Sequence, residues 1–212
     1  MKNKIVVIFL LLLVLRSFGQ DSIDNKLCIK IAPLALLDIY SGMSPRIGVE
    51  YKLKRNISLY NEIGTYVPNQ NSNTNIKGFL SKIELKAFLN RSGKTINHYI
   101  SSEIFYKQQT YDSYDSISQN SSYYLKNYSV SKKAACLTLK YGFLKVFKFN
   151  LVLDAFVGLG VRFKFVESTL TNYENSNIKP EGSYSANIAL SKAGNFTLLN
   201  LDMGIKIGYR IK

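Results

Sequence analysis

From Leu199 to Ile211 the chain alternates without a break. Leu199, Leu201, Met203, Ile205, Ile207, Tyr209 and Ile211 take one side, and Asn200, Asp202, Gly204, Lys206, Gly208 and Arg210 take the other. A helix would scatter those apolar residues around its whole circumference, whereas a strand collects them on one face. The stretch from Asn150 to Phe165 behaves alike. Leu151, Leu153, Ala155, Val157, Leu159, Val161, Phe163 and Phe165 oppose a mixed face holding Asp154, Gly158, Gly160, Arg162 and Lys164. No 3.6-residue pattern is sustained anywhere beyond the first residues. The 15 Tyr and 12 Phe favour strands too. The chain is predicted to be all-β.

Eight alternating runs are predicted, at 26–34, 45–54, 57–67, 77–89, 96–109, 128–143, 150–166 and 198–211. The connections after the second, fourth and sixth are short: Arg55-Asn56, Asn90 to Thr95 with Ser92-Gly93, and Leu144 to Phe149. Those after the first, third, fifth and seventh are long (35–44, 68–76, 110–127 and 167–197) and rich in Asn, Ser, Tyr and Asp. An even number of antiparallel strands with tight turns at one end and long loops at the other is the layout of a transmembrane β-barrel. Each run also meets the 9–11 tilted residues that a membrane strand requires. The predicted fold is an eight-stranded antiparallel up-and-down transmembrane barrel.

Glycines and acids sort the faces. Gly48, Gly64, Gly78, Gly142, Gly158, Gly160, Gly204 and Gly208 all fall on polar faces, as the crowded interior of a narrow barrel requires. Every strand acid does likewise: Glu50, Glu62, Glu84, Glu103, Asp154 and Asp202. With Lys82, Lys86, Lys140, Arg162, Lys206 and Arg210 they are expected to form an ion-pair network in the lumen, because eight strands leave just enough room for side chains. Val157, Leu159, Met203 and Ile205 are expected to face lipid. A turn centred on Ser92-Gly93 would set Lys82 opposite Glu103, and similar counting sets Lys140 opposite Asp154.

Residues 1–19 read as a secretory leader, with Lys2 and Lys4 before the apolar stretch Ile5 to Leu15 and small residues Ser17 and Gly19 before a cut. The barrel would then occupy 20–212. Losing Lys2, Lys4 and Arg16 lowers the formal charge from +14 to +11. Asp24-Asn25-Lys26-Leu27 is no lipobox, so Cys28 is not read as a lipid anchor.

Ile31-Ala32-Pro33-Leu34, Pro45-Arg46-Ile47-Gly48-Val49-Glu50-Tyr51 and Lys206-Ile207-Gly208-Tyr209-Arg210 are similar to an uncharacterised family of Bacteroidota outer-membrane proteins. The strand count, loop alternation and charged lumen resemble small outer-membrane barrels of the OmpA and OmpX kind. The resemblance implies the outer membrane of a Gram-negative bacterium, reached by Sec-dependent export. It implies lipid, lipopolysaccharide and the outer-membrane assembly machinery as partners. Nucleic acid is not expected, nor is any cofactor. The chain closes on Tyr209-Arg210-Ile211-Lys212, where such barrels often end on an aromatic residue.

Few residues suggest chemistry. His98 and Ser102 share outward parity, as a lipid-deacylating pair would, yet His98 sits beside a short turn and reads better as interfacial. Cys28 and Cys136 fall on non-adjacent strands and are expected to be free thiols. Tyr111 to Ser116 carries two acids in a loop, where calcium, glycan and plain solvation compete as readings. Asp21-Ser22-Ile23 and Asp115-Ser116-Ile117 weakly match glycosylation acceptors. Lys126, Lys132, Lys133 and Lys164, near the outer strand ends, are candidates for lipopolysaccharide phosphates. The favoured function is structural or surface interaction, without enzyme activity, and loops 110–127 and 167–197 are where an extracellular ligand would bind. A small pore, a lipid-modifying enzyme and a soluble ligand-binding barrel stand as alternatives.

Overall fold

The computed structural model describes residues 27–36, 43–67, 75–89, 96–119, 122–179 and 193–211. The leader, Asp21-Ser22-Ile23 and Ser92-Gly93 lie outside them. The strands are β1 (Leu27–Ile31), β2 (Arg46–Lys54), β3 (Ile57–Thr65), β4 (Lys77–Phe88), β5 (Ile96–Gln119), β6 (Ser122–Val146), β7 (Leu151–Ser168), β8 (Ile178–Lys179) and β9 (Gly194–Ile211). Eight of them form a ring. β1 to β7 pair in sequence, β7 pairs with β9, and β9 pairs back to β1, every pairing antiparallel. The two-residue β8 lies beside β5 at Ser116–Ile117, outside the ring. The chain is an eight-stranded antiparallel up-and-down barrel.

Alternation inverts the usual arrangement of core and surface. Apolar side chains point outward from every barrel strand, among them Ile29, Ile47, Ile63, Ile83, Ile104, Leu137, Leu159 and Leu201. Lys30, Glu62, Glu84, Lys86, Asp154 and Lys206 are buried inside. Val157, Leu159, Met203 and Ile205 are all exposed on the outer wall. Leu139, Leu159 and Leu201 stand in one register row across β6, β7 and β9. Phe79 and Tyr106 pack at 5.9 Å between centroids towards the loop end, and His98 stacks on Tyr141 towards the turn end.

Glycine makes room for the inner aromatics. Tyr99 lies directly opposite Gly142, and Phe156 directly opposite Gly204. A Cβ on Gly142 would stand 2.4 Å from Tyr99 Cζ, and one on Gly48 would stand 2.2 Å from Tyr60 Oη. Neither ring has space to retreat, since Tyr60 and Tyr99 are fully buried. Gly142→Ala is therefore expected to lose about 1–3 kcal/mol to overpacking, read from urea unfolding of the refolded chain. An unchanged midpoint would show that Tyr99 can yield.

The structure departs from the sequence expectation in two places. β5 and β6 run on through most of 110–127 and pair from Thr110↔Ser131 to Gln119↔Ser122, so that segment is a projecting hairpin and not a loop. Its Asp and Ser residues suggest solvent, but packing prevails. Ile117, Tyr128 and Val130 bury against Val166 and Leu170, forming a second apolar cluster beyond the barrel proper. Register is the other departure. Lys82 pairs with Phe105 and Glu84 with Glu103, while Lys140 pairs with Gly158 and Asp154 with Leu144. β6 extends to Val146, and its turn spans Phe147 to Asn150, with Phe149 and Asn150 both at positive φ. Turn length sets hairpin register, and the alternation pattern alone places that turn too early.

Candidate functional site

The lumen is layered from turn end to loop end. At the turn end Cys28, Leu144 and Val152 bury against Tyr99, with Phe88 and Val146 beside them. Cys28 and Cys136 are both buried free thiols.

The next layer is ionic. Lys30 Nζ donates to Glu50 at 2.5 Å and to Asp154 at 2.6 Å, while Lys86 Nζ donates to Asp154 at 2.5 Å and to Glu50 at 3.1 Å. Two ammoniums and two carboxylates thus alternate around a square that joins β1, β2, β4 and β7. Tyr99 Oη donates to Asp154 at 2.6 Å and Ser58 Oγ to Glu50 at 2.9 Å, so the carboxylates are saturated. Lys206 donates to Glu84 at 3.0 Å, and Ser101 donates to the other Glu84 oxygen. Lys206 also sits 3.9 Å from the Tyr60 ring centroid and 4.8 Å from that of Phe156. Rings and opposite charges both offset the desolvation that burial imposes.

Above it lies a third layer. Lys140 bridges Glu103 at 2.6 Å and Asp202 at 2.7 Å, and Lys82 reaches the same two carboxylates at 3.6 and 3.7 Å. Lys82 and Glu103 therefore associate on the diagonal despite the shifted register. Lys140 and Asp154 do not pair; each belongs to a different layer. Arg162 donates to Asn200 through Nε at 3.1 Å and through a terminal nitrogen, and Asn200 donates to Thr138. Its partner is an amide where a carboxylate was expected. Glu62 accepts from Tyr60 Oη at 2.6 Å and lies 3.9 Å from Arg46. Arg210 pairs in register with Cys28 at the strand ends and enters none of these ion pairs.

Sequence reasoning passes over Lys30, which ties β1 to both neighbours in the square, and also Arg46. Lys30 shares the parity of Cys28, and Arg46 that of Gly48 and Glu50, so the same rule places both inside. The long aromatics Tyr60 and Tyr99 follow the same parity.

Beyond the barrel, a single helical turn α1 (Asn172–Ser176) packs beside β6. Thr171 caps it and Glu174 closes a capping box. Lys126 donates to Glu174 at 2.5 Å and Tyr124 donates at 2.9 Å. The Lys126 ammonium, then the Thr171 backbone, hold the Glu174 carboxyl down at about 2. It is ionised at any pH near neutral. In the hairpin, Asp112 accepts from Ser129 and Asn75, and Asp115 accepts from Ser113 and Tyr128. Both acids suggested for calcium are thus engaged in cross-strand bonds. Among the described residues no group of three His, Cys, Asp or Glu side chains is arranged for a metal.

The basic candidates for phosphate contact divide. Lys164 is buried, its Nζ lying 5.3 Å from the Phe196 ring centroid. Lys126 is held by Glu174, and Lys132 is half-buried on the same inward parity. Lys133 alone of the four is exposed on the outer wall. Phe163 and Phe165, exposed on either side of Lys164, show why: parity turns Lys164 inward. His98 Nδ1 and Tyr141 Oη are 2.9 Å apart on the outside. Ser102, four residues along the strand, is about 13 Å farther on, so no His–Ser pair is assembled.

Two solved structures are similar to this chain at low identity. The N-terminal β-barrel domain of Pseudomonas aeruginosa OprF is 12% identical with a TM-score of 0.41, and the match covers 88% of this chain and 98% of that one. A major outer membrane protein from Thermus thermophilus is 11% identical with a TM-score of 0.47 and the same coverages. No curated protein matches the sequence. A family model described as "Protein of unknown function (DUF3575)" matches residues 6–194, most of the chain, and this protein belongs to that family.

Proposed function

We propose that the chain is an integral outer-membrane barrel, exported by its leader, whose role is structural or lies in surface interaction through the β5–β6 hairpin and the α1 region. The observation that carries this is the outer wall. Every barrel strand exposes apolar side chains there, Leu139, Leu199, Leu201 and Met203 each by 65% or more. A soluble monomer rarely exposes a contiguous apolar patch beyond a few hundred Å², and this belt circles the molecule. Along the belt the strand acids lie inside, where lipid cannot meet them, and Glu167, exposed on the outer face of β7, stands at its loop end. Ion pairs crossing the lumen between opposite strands oppose the pore reading, and Lys133 is the residue placed to meet lipopolysaccharide phosphate.

The hairpin carries exposed Tyr114, Tyr123 and Leu125 beyond the belt, where binding residues on a rigid scaffold concentrate. Replacing residues 114–127 by Asn-Gly joins Ser113 to its own partner Tyr128, which closes β5 onto β6 in register and leaves the belt whole. That variant is expected to remain in the detergent-extracted membrane fraction and to keep heat-modifiable migration, while losing any adhesion or phage adsorption of the parent cells. Recovery of the intact chain in the soluble periplasmic fraction would overturn the membrane assignment. Retained adsorption by the truncated form would remove the hairpin from the function.

A further inference from the structure

The lumen is not filled throughout. A cavity of about 370 Å³ reaches down to the ionic layers, between β2, β3, β4 and β5 on one side and β7 and β9 on the other. Ala32, and Leu34 and Ala35 from the 3-10 turn Pro33–Leu36 after β1, contribute to its lining. The volume falls at the lower end of small-molecule pockets, about 300–1,000 Å³. Its lining carries more cations than carboxylates. Arg46, Lys82, Lys107, Arg162 and Lys206 line it against the carboxylates of Glu62 and Asp202.

Several of these cations are incompletely engaged. Arg162 is bound to the neutral amide of Asn200. Both carboxylates of Lys82 stand at 3.6 Å or more, beyond ordinary hydrogen-bond length. Arg46 donates to Ser44 Oγ and is 3.9 Å from Glu62. An independent observation points to the same space. Glu62 is 1% exposed, yet its Oε1 has no hydrogen-bond partner. That oxygen has the Arg46 guanidinium at 3.9 Å but no hydrogen bond, and a buried carboxylate oxygen without one is costly, so it is open to a donor from a ligand.

We propose that this cavity binds a small soluble oxyanion, a phosphate ester or carboxylate, that also carries a hydroxyl or amino group. Lys82, Arg162 and Arg46 take the anionic end by charge-assisted hydrogen bonds, which are the stronger kind. Glu62 Oε1 accepts from the hydroxyl or amine. The pairing selects against a bare anion, because Glu62 repels one and rewards a donor. This site lies inside the barrel and is independent of what surrounds the outer wall, so its failure would leave the membrane assignment untouched.

The full chain, refolded into detergent micelles and verified by heat-modifiable migration, is titrated by calorimetry at low ionic strength with glycerol 3-phosphate, inorganic phosphate and glycerol. Saturable binding of glycerol 3-phosphate at one site per chain is expected, tighter than inorganic phosphate, with none for glycerol. Hydrogen bonds to charged groups each contribute roughly tenfold or more, so Lys82→Gln/Arg162→Gln should weaken both anions at least about tenfold. Glu62→Ala should tighten inorganic phosphate and abolish the preference for the ester. Lys148→Gln, exposed in the turn after β6, should change nothing. Where a lumen variant does not fold, the wild-type chain decides alone: glycerol 3-phosphate is expected to shift the Arg162 Nε–H and Asn200 amide resonances. Absence of saturable binding, shifts confined to outer lysines, or undiminished binding by the folded double variant would overturn the proposal.

Discussion

Asp154→Ala is expected to destabilise the folded chain by about 3–5 kcal/mol, the usual loss when one member of a buried charge cluster is removed. Asp154 accepts from Lys30, Lys86 and Tyr99 together and is fully buried. Without it two ammoniums share Glu50 alone, and the Tyr99 hydroxyl loses its acceptor. On the turn side Cys28, Leu144 and Val152 close the lumen beneath that layer. Adding Lys86→Ala removes one of the stranded charges, so the double variant should recover part of the loss. Glu174→Gln offers the contrast. The Lys126–Glu174 bridge lies outside the barrel with the Lys126 side chain 37% exposed, and pairs open to solvent contribute about 1 kcal/mol or less. The check is urea unfolding in one detergent for all variants. Equal midpoints for Asp154→Ala and Glu174→Gln would mean that the square of charges contributes no more than an exposed pair.

What the sequence makes legible follows from parity. Asp154, Asp202, Glu84 and Lys206 can be placed inside because each shares a face with glycines. Strand number and the closed ring follow from the alternating connection lengths. Pairing partners are less accessible. Register depends on how many residues a turn consumes, and Phe149 and Asn150 at positive φ are not foreshadowed by a glycine. Hence counting matches Lys140 to Asp154 although Glu103 and Asp202 hold it. The length of the hairpin is hidden for a different reason. Tyr111 to Asn127 reads as polar, and its pairing is stabilised by distant residues, Val166 and Leu170, that local pattern cannot supply. Lys164 shows the limit of position along a strand as a guide. It lies near the outer end as expected, but its side chain points to Phe196 and away from any membrane surface.

Leu159→Arg puts the outer wall to the test. Leu159 lies between Leu139 and Leu201 in one register row, the three exposed by 55%, 65% and 65%. In water, arginine on that row would relieve exposed apolar area and destabilise little. In a bilayer it stands at mid-depth, where the charge costs about 2–4 kcal/mol, against about 0–1 near the interface. Phe149, at the turn end and 91% exposed, supplies the interfacial position. Phe149→Arg should therefore fold into phospholipid vesicles almost as well as the wild type, whereas Leu159→Arg should unfold at markedly lower urea or fail to insert. The depth dependence is what separates lipid from water, since any general effect of added charge would act at both positions alike. If the two variants unfold together, and the chain stays dispersed without detergent, the apolar belt does not face lipid and the barrel is a soluble one.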